Sequence, residues 1–124
     1  MRSPDGNIEI VRRKDLAPPQ MARWCGLIDI PGHEFVLLGR RFSEPMIFSP
    51  NSRFLALIEL TVAGGSRVTV LDFSSDRELI AFESSGKPDD MVTISSLNWA
   101  EDEALHMGIF KLREGKITKV WRPA

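Results

Sequence analysis

Short apolar runs separated by polar turns make up most of this chain. Within the runs, apolar residues alternate with polar ones or follow each other for a few positions, and helical spacing is scarce. Such patterns are typical of short β-strands with one or both faces buried. The runs predict strands over Trp24–Ile30, Glu34–Gly39, Met46–Phe48, Phe54–Val62, Arg67–Phe73, Glu78–Phe82, Val92–Trp99, Ala104–Leu112 and Lys116–Trp121, with weaker alternation over Ile8–Val11.

The connections between these runs are short and rich in Gly, Pro, Asn, Asp and Ser, which each favour turns. Because short connections join antiparallel neighbours, the pattern predicts an all-β antiparallel meander of about nine to ten short strands. We expect one domain over residues 1–124. The segment Asp15–Cys25 starts with a helix-capping residue, but Pro18 and Pro19 limit it to a loop or one short helical turn.

An internal repeat narrows the choice of fold. The stretches LIDIPGHEFVLL, from Leu27, and VLDFSSDRELIAF, from Val70, both place an Asp after two apolar residues and before a turn, with the two Asp residues 43 positions apart. The stretches FSPNSRFLALIEL, from Phe48, and WAEDEALHMGIF, from Trp99, both start on an aromatic residue and pass through a polar turn into an apolar strand. Offsets of about 40–50 residues are typical of propeller blades.

On these motifs the chain resembles the WD40-like β-propeller superfamily. Residues 46–83 resemble one complete four-stranded blade, residues 92–121 three strands of the next, and roughly 8–42 the later strands of the preceding one. The Gly-His and Trp-Asp dipeptides of that family are absent. Since about four to eight blades are needed to close a ring, the alternatives are an open set of blade-like units, a twisted sandwich or an open barrel. The last run, KITKVWRPA, carries the Lys, Arg and Pro residues that protect an exposed sheet edge.

Charge and composition exclude several classes of function. The chain has 16 Lys plus Arg against 17 Asp plus Glu, a net charge of −1, so the totals predict neither a nucleic-acid nor an anionic-membrane partner. The single cysteine, Cys25, cannot form an internal disulfide, which suits a reducing compartment. The amino terminus is polar, and no run approaches the roughly 18 apolar residues of a membrane span. We therefore expect a soluble, cytoplasmic protein without a membrane partner.

The reactive side chains do not indicate catalysis or metal binding. Cys25 lies in an apolar run without an adjacent base, so a packing role is expected. A structural zinc site needs about four ligands, which Cys25, His33 and His106 do not supply. We expect His33 to be a solvated turn residue and His106 a partly buried strand residue. The sequence predicts no catalytic residues, no metal site, no cofactor and no enzymatic activity.

Acidic loops and tryptophans are the candidate binding residues. Two loops with adjacent carboxylates flank the predicted strand Val92–Trp99. Acidic groups steer association with a basic partner, and Trp is enriched at binding hot spots, although solvated loops and core packing are the simpler interpretations. The predicted partner-binding residues are Asp89, Asp90, Trp99, Glu101, Asp102, Glu103 and Trp121.

These observations favour a non-catalytic protein-binding module. In size, acidic loops and lack of cofactor chemistry the chain resembles, in general type, a small bacterial immunity protein, which implies neutralisation of a cognate toxin by binding and occluding it. The alternatives are a ligand-binding or enzymatic β domain and a partial-propeller unit that self-assembles through its sheet edges.

Overall fold

Antiparallel β-strands in two sheets form this fold. The computed structural model describes residues 1–20, 23–62 and 64–123, and within them the chain has nine strands, one 3-10 turn and no α-helix, which confirms the predicted all-β class. The turn, η1, covers Pro88–Asp90. The strands are β1 (Val11–Asp15), β2 (Cys25–Asp29), β3 (Arg41–Phe48), β4 (Phe54–Leu60), β5 (Ser66–Asp72), β6 (Arg77–Glu83), β7 (Val92–Trp99), β8 (Leu105–Lys111) and β9 (Gly115–Trp121).

Every strand pairs with its neighbour in sequence except at one point. Strands β1 to β6 form a six-stranded sheet in chain order, and β7 to β9 form a three-stranded sheet in chain order. The chain changes sheet between β6 and β7, through the connection that contains η1. The predicted antiparallel meander is thus present, divided into two parts.

The strands assigned to a preceding unit do not form a separate sheet. Residues 46–83, predicted as one four-stranded unit, do lie on four adjacent strands, β3 to β6. However, β1 and β2 extend that same sheet, because Cys25 and Gly26 pair with Ser43 and Phe42. Strands β1 and β2 approach each other closely at Gly26, where an added Cβ would lie 1.7 Å from the carbonyl oxygen of Lys14. Glycine therefore permits β1 to join the sheet.

The strand predicted over Glu34–Gly39 is wrong, and of the weaker run Ile8–Val11 only Val11 lies in a strand. Residues 34–37 belong to no strand and are followed by a turn, in which the N–H of Arg40 donates to the carbonyl of Leu37 at 3.1 Å. Leu37 is buried against one face of the sheet, so this segment covers the sheet instead of extending it. No helix forms in the described part of Asp15–Cys25, as expected from its prolines, and residues 21 and 22 of that segment lie outside the described residues.

The strands β4 and β5 are buried on both faces, because their sequences are apolar at consecutive positions. One face carries Phe54, Ala56, Ile58, Val68 and Val70 and packs against the three-stranded sheet. The facing side chains of that sheet are Ile94, Leu97, Leu105, Met107 and Ile109. The two sheets therefore form a sandwich around one apolar core.

The other face of β4 and β5 is covered in part by the amino-terminal segment, which belongs to no strand before Val11. Leu55, Leu57 and Leu71 pack there against Ile8 and Ile10 of the amino-terminal segment. The remaining buried members of this second cluster are Ile28, Ile30, Leu37 and Phe42. The six-stranded sheet is thus a middle layer.

The two loops related by the sequence repeat have matching hydrogen bonds. The N–H of Ser52 donates to the carbonyl of Ser49 at 2.9 Å, and the N–H of Glu103 donates to that of Ala100 at 3.2 Å. Ser52 and Glu103 also share a left-handed backbone, with φ of 62° and 65°. The repeat in sequence thus corresponds to two similar turns, each of which leads into an inner strand of its sheet.

Candidate binding surfaces

The predicted acidic residues lie at opposite ends of one strand. Asp89 and Asp90 precede β7, and Glu101 to Glu103 follow it. A strand of eight residues spans roughly 25 Å at about 3.3 Å per residue, so the two groups do not form one acidic site. Any partner that contacts both must cover the length of the three-stranded sheet.

The carboxylates around η1 stabilise their own loop. Asp90 accepts a hydrogen bond of 2.6 Å from the backbone N–H of Ser85, and this bond lowers the pKa of the Asp90 carboxyl. Asp89 is exposed beside it. The arrangement explains Asp90 as a residue that fixes the connection between the two sheets.

The carboxylates after β7 are also held by neighbours. Asp102 pairs with Arg122 at 2.5 Å, which lowers the pKa of the Asp102 carboxyl. Glu103 lies 3.8 Å from Arg53 and accepts a hydrogen bond from the amide of Asn51. These contacts join the 49–53 loop of one sheet to the 100–104 loop of the other, while Glu101 is exposed.

The two tryptophans that the sequence predicts as partner-binding residues pack between the sheets. Trp99 stacks on Phe54 with ring centroids 5.6 Å apart, and Trp121 meets Phe54 edge-on at 5.9 Å. The indole N–H of Trp99 donates to the carbonyl of Ile47 at 2.9 Å, which satisfies its one polar group. Each keeps part of its surface exposed, but the geometry explains both as residues that join the two sheets.

The reactive side chains show one expected and two unexpected environments. Cys25 is buried, and burial raises the pKa of its thiol, so it packs as predicted. His33 is not a freely solvated turn residue, since it lies against Phe73 at 5.0 Å and places Nδ1 3.0 Å from Asp76. His106 was expected to be partly buried, but it is exposed on the outer face of β8, because the neighbouring positions of that strand point inward. Among the described residues, no group of three His, Cys, Asp or Glu side chains is placed to hold a metal ion.

A charged network that the sequence did not indicate lies beside the second apolar cluster, where the guanidinium of Arg40 lies over the ring of Phe42. Glu59 of β4 is only 6% exposed and accepts two hydrogen bonds from the guanidinium of Arg40, at 2.9 and 2.7 Å. Arg40 also binds Glu78 of β6 at 3.0 and 2.7 Å. The Arg40 bonds hold the pKa of Glu59 below its usual value. The network joins the loop before β3 to the far edge of the sheet.

An apolar groove lies beside this network, between the first two strands and the loop that precedes β3. Val36 and Leu38 project from the loop and are 76% and 91% exposed. The groove, named here the Val36 groove, has a volume of about 490 Å³ and includes Arg13 and Lys14 of β1 in its lining. It adjoins a second cleft at Gly39, and the exposed Val62 lies at the rim of that cleft. Sequence reasoning missed this surface because the apolar run over residues 34–39 predicts a strand.

No protein-family model matches the chain, and neither a similar protein nor a similar solved structure was found. In the part of the chain that the structure describes, no helix has the length and apolar character to cross a membrane.

Proposed function

We propose that this protein is a non-catalytic protein-binding module and that the Val36 groove is its docking surface. The observation that carries the proposal is the exposure of Val36 and Leu38 beside a groove of about 490 Å³. Adjacent apolar side chains that project into water are typical of surfaces that bind other proteins. Single exposed apolar residues need no explanation, but here two lie on one loop and border one groove.

The rim of the groove indicates the chemistry of the partner. Arg13 and Lys14 of β1 are exposed, and the guanidinium of Arg13 is a loose 3.9 Å from Asp29. A complementary partner places apolar side chains in the groove, where they become buried. It also places carboxylates beside β1, where they pair with Arg13 and Lys14. This polarity is opposite to the basic partner that the acidic loops suggested.

An immunity protein is the specific form of this function that the sequence resemblance implies, with a toxin as the occupant of the groove. Self-assembly through the sheet edges is less well supported by the charges. The edge strand β1 carries Arg12, Arg13 and Lys14, and the edge strand β9 carries Lys116 and Lys119. Pairing either edge with its own copy brings like charges together, which is unfavourable.

The test compares the wild-type protein with the double variant Val36→Asp/Leu38→Asp. Both side chains are exposed, so the double variant is expected to keep its stability within about 1 kcal/mol. A partner purified with the wild-type bait from the source organism is titrated against each protein by calorimetry. We expect the double variant to weaken binding by at least about 100-fold, because it places two carboxylates where apolar contacts form.

Leu112→Asp is the matched control, since Leu112 is an apolar side chain that is 71% exposed on the turn between β8 and β9. It is expected to bind the partner as the wild type does. Equal affinity for the wild type and the groove variant would refute the groove as the docking surface. If the partner is a toxin, co-expression with the wild type should restore growth and co-expression with the groove variant should not.

A further inference from the structure

One side of the sandwich is closed and the other is open. Strand β3 contacts β7, and the indole of Trp99 bonds to the backbone of β3. Strands β6 and β9 are the last strands of their sheets and lie away from that contact. The backbone groups of β9 that point away from β8 therefore have no strand beside them within the described chain.

The open side is incompletely covered. Leu79 and Phe82 of β6 and Ile117 and Trp121 of β9 pack against the core between the sheets, yet all four are only partly buried. The inner residues of central strands, such as Met107 of β8, are buried almost completely. A strand added to β9 would cover these half-exposed side chains and gain apolar burial in addition to backbone hydrogen bonds.

The charge of this edge is strongly positive, although the protein as a whole carries −1. Residues 111–122 contain five Lys or Arg residues and one carboxylate, Glu114. Of the cations, Arg122 pairs with Asp102. Among the described residues, neither Lys116 nor Lys119 has a carboxylate within ion-pair distance. An acidic occupant would supply the missing counter-charges.

We propose that β9 binds an acidic, extended segment of another protein as a fourth strand of the three-stranded sheet. Lysines on an edge strand commonly prevent aggregation, and the two roles are compatible. The lysines repel a second β9 edge and attract a carboxylate-bearing strand, so the same charges give selectivity. The Val36 groove plays no part in this proposal, which stands or fails separately from the proposed function.

A designed peptide tests the proposal without knowledge of the natural partner. The capped peptide TEVTVEVT presents valines on one face and glutamates on the other when extended. The control TEVPVEPT keeps the charge but has one proline on each of the two hydrogen-bonding edges of the extended peptide. Each proline removes a backbone N–H donor and disfavours strand pairing. The control TKVTVKVT reverses the charge. Binding is followed by amide chemical shifts of the full-length protein at low salt and by hydrogen exchange.

We expect TEVTVEVT to shift and protect the backbone amides of β9, and both control peptides to bind at least about tenfold more weakly. The protein variant Lys116→Glu should bind TEVTVEVT at least about threefold more weakly, because Lys116 pairs with the exposed Phe110 and so lies on the outer face of β9, where the peptide presents its glutamates. A cross-strand charge pair contributes roughly 0.2–1 kcal/mol, and reversal of the charge adds repulsion. Lys87→Glu, an exposed lysine in the loop before η1, is the control for net charge and should bind as the wild type does.

Three results would overturn the proposal. Equal binding of the proline peptide would show charge attraction without strand pairing. Changes in amide chemical shift at Val36 and Leu38 instead of β9 would show that the peptide binds in the Val36 groove. A concentration-dependent oligomer of the wild type that protects β9 would make a second copy the occupant, with its β6 edge, which carries Glu78 and Glu83, as the acidic strand. Loss of partner binding in the groove variant, by contrast, leaves the expected peptide result unchanged.

Discussion

Replacement of Arg40 by Met tests whether the charged network stabilises the fold. Arg40→Met keeps much of the side-chain volume but removes the guanidinium, which binds Glu59 at 2.9 and 2.7 Å and Glu78 at 3.0 and 2.7 Å. The carboxylate of Glu59 is then left in a site where it is only 6% exposed. Arg67 at 3.6 Å and Thr69 at 3.4 Å are its remaining partners.

The expected loss of stability follows from this geometry. Removal of one member of a buried ion pair costs about 3–5 kcal/mol, because the other charge stays buried without compensation. Arg40 itself is about a quarter exposed and Arg67 remains nearby, so we expect about 2–3 kcal/mol. For a chain of this size each kcal/mol lowers the melting temperature by roughly 3–5 °C. The double variant Arg40→Met/Glu59→Met should recover at least half of the loss, since it removes the buried carboxylate as well, and the carboxylate of Glu78, which also loses Arg40, is exposed to water.

The loss should also depend on pH. Arg40 lowers the pKa of Glu59 in the folded protein below its ordinary value of 4.5. The pair therefore stabilises the wild type above that pH and ceases to do so as pH falls through the lowered pKa. In Arg40→Met the hydrogen bonds that chiefly lower the pKa of Glu59 are gone, and burial of the carboxyl raises that pKa. The difference in unfolding free energy between wild type and variant should therefore shrink as pH falls through the region of 4.5.

Urea unfolding followed by tryptophan fluorescence at neutral and acidic pH measures these quantities. Arg13→Met is the control, because its ion pair with Asp29 is exposed and 3.9 Å long, and it should change stability by less than about 0.5 kcal/mol. The reasoning is refuted if Arg40→Met costs under about 1 kcal/mol at neutral pH, or if the added Glu59→Met substitution restores nothing.

Three further predictions concern the core and the sheet. Phe54→Ala should destabilise the protein by about 3–5 kcal/mol and shift tryptophan emission to the red, because its ring stacks on Trp99 at 5.6 Å; an unchanged emission would contradict that contact. The thiol of Cys25, 4% exposed with a raised pKa, should react slowly with a disulfide reagent in the native protein and rapidly in denaturant, and fast native labelling would contradict its burial. Gly26→Ala should release β1 from the sheet, because the new Cβ would lie 1.7 Å from the carbonyl oxygen of Lys14; undiminished amide protection in β1 would contradict this.

The strands near the middle of the chain were predictable because their signal is local. The apolar positions predicted a strand over Val92–Trp99, which is the observed β7, and Phe54–Val62 differs from the observed β4 only at its end. Turn residues between them fixed the connections within a few positions. The similarity of the two turns was also predictable from the sequence repeat. In the structure, the left-handed residues Ser52 and Glu103 lie at equivalent positions in them.

Environment could not be predicted for residues whose chemistry suits two places. Trp is common both at binding surfaces and in the cores of small β-proteins. Trp99 and Trp121 pack inside because both meet Phe54, which lies in a different sheet and far away in sequence. Likewise, residues 34–39 contain a short apolar run typical of a strand, but β3 pairs with β2 and β4 and offers them no edge.

Local periodicity and turn chemistry, which act over a few residues, are enough to determine the all-β class, the antiparallel order and most of the strands. Tertiary structure alone decides that β1 and β2 join the larger sheet, that Arg40 meets Glu59 and Glu78, and that β9 remains an open edge. Each of these features depends on which distant segments lie next to each other in the fold. The pattern of apolar and polar residues along the chain does not specify those neighbours.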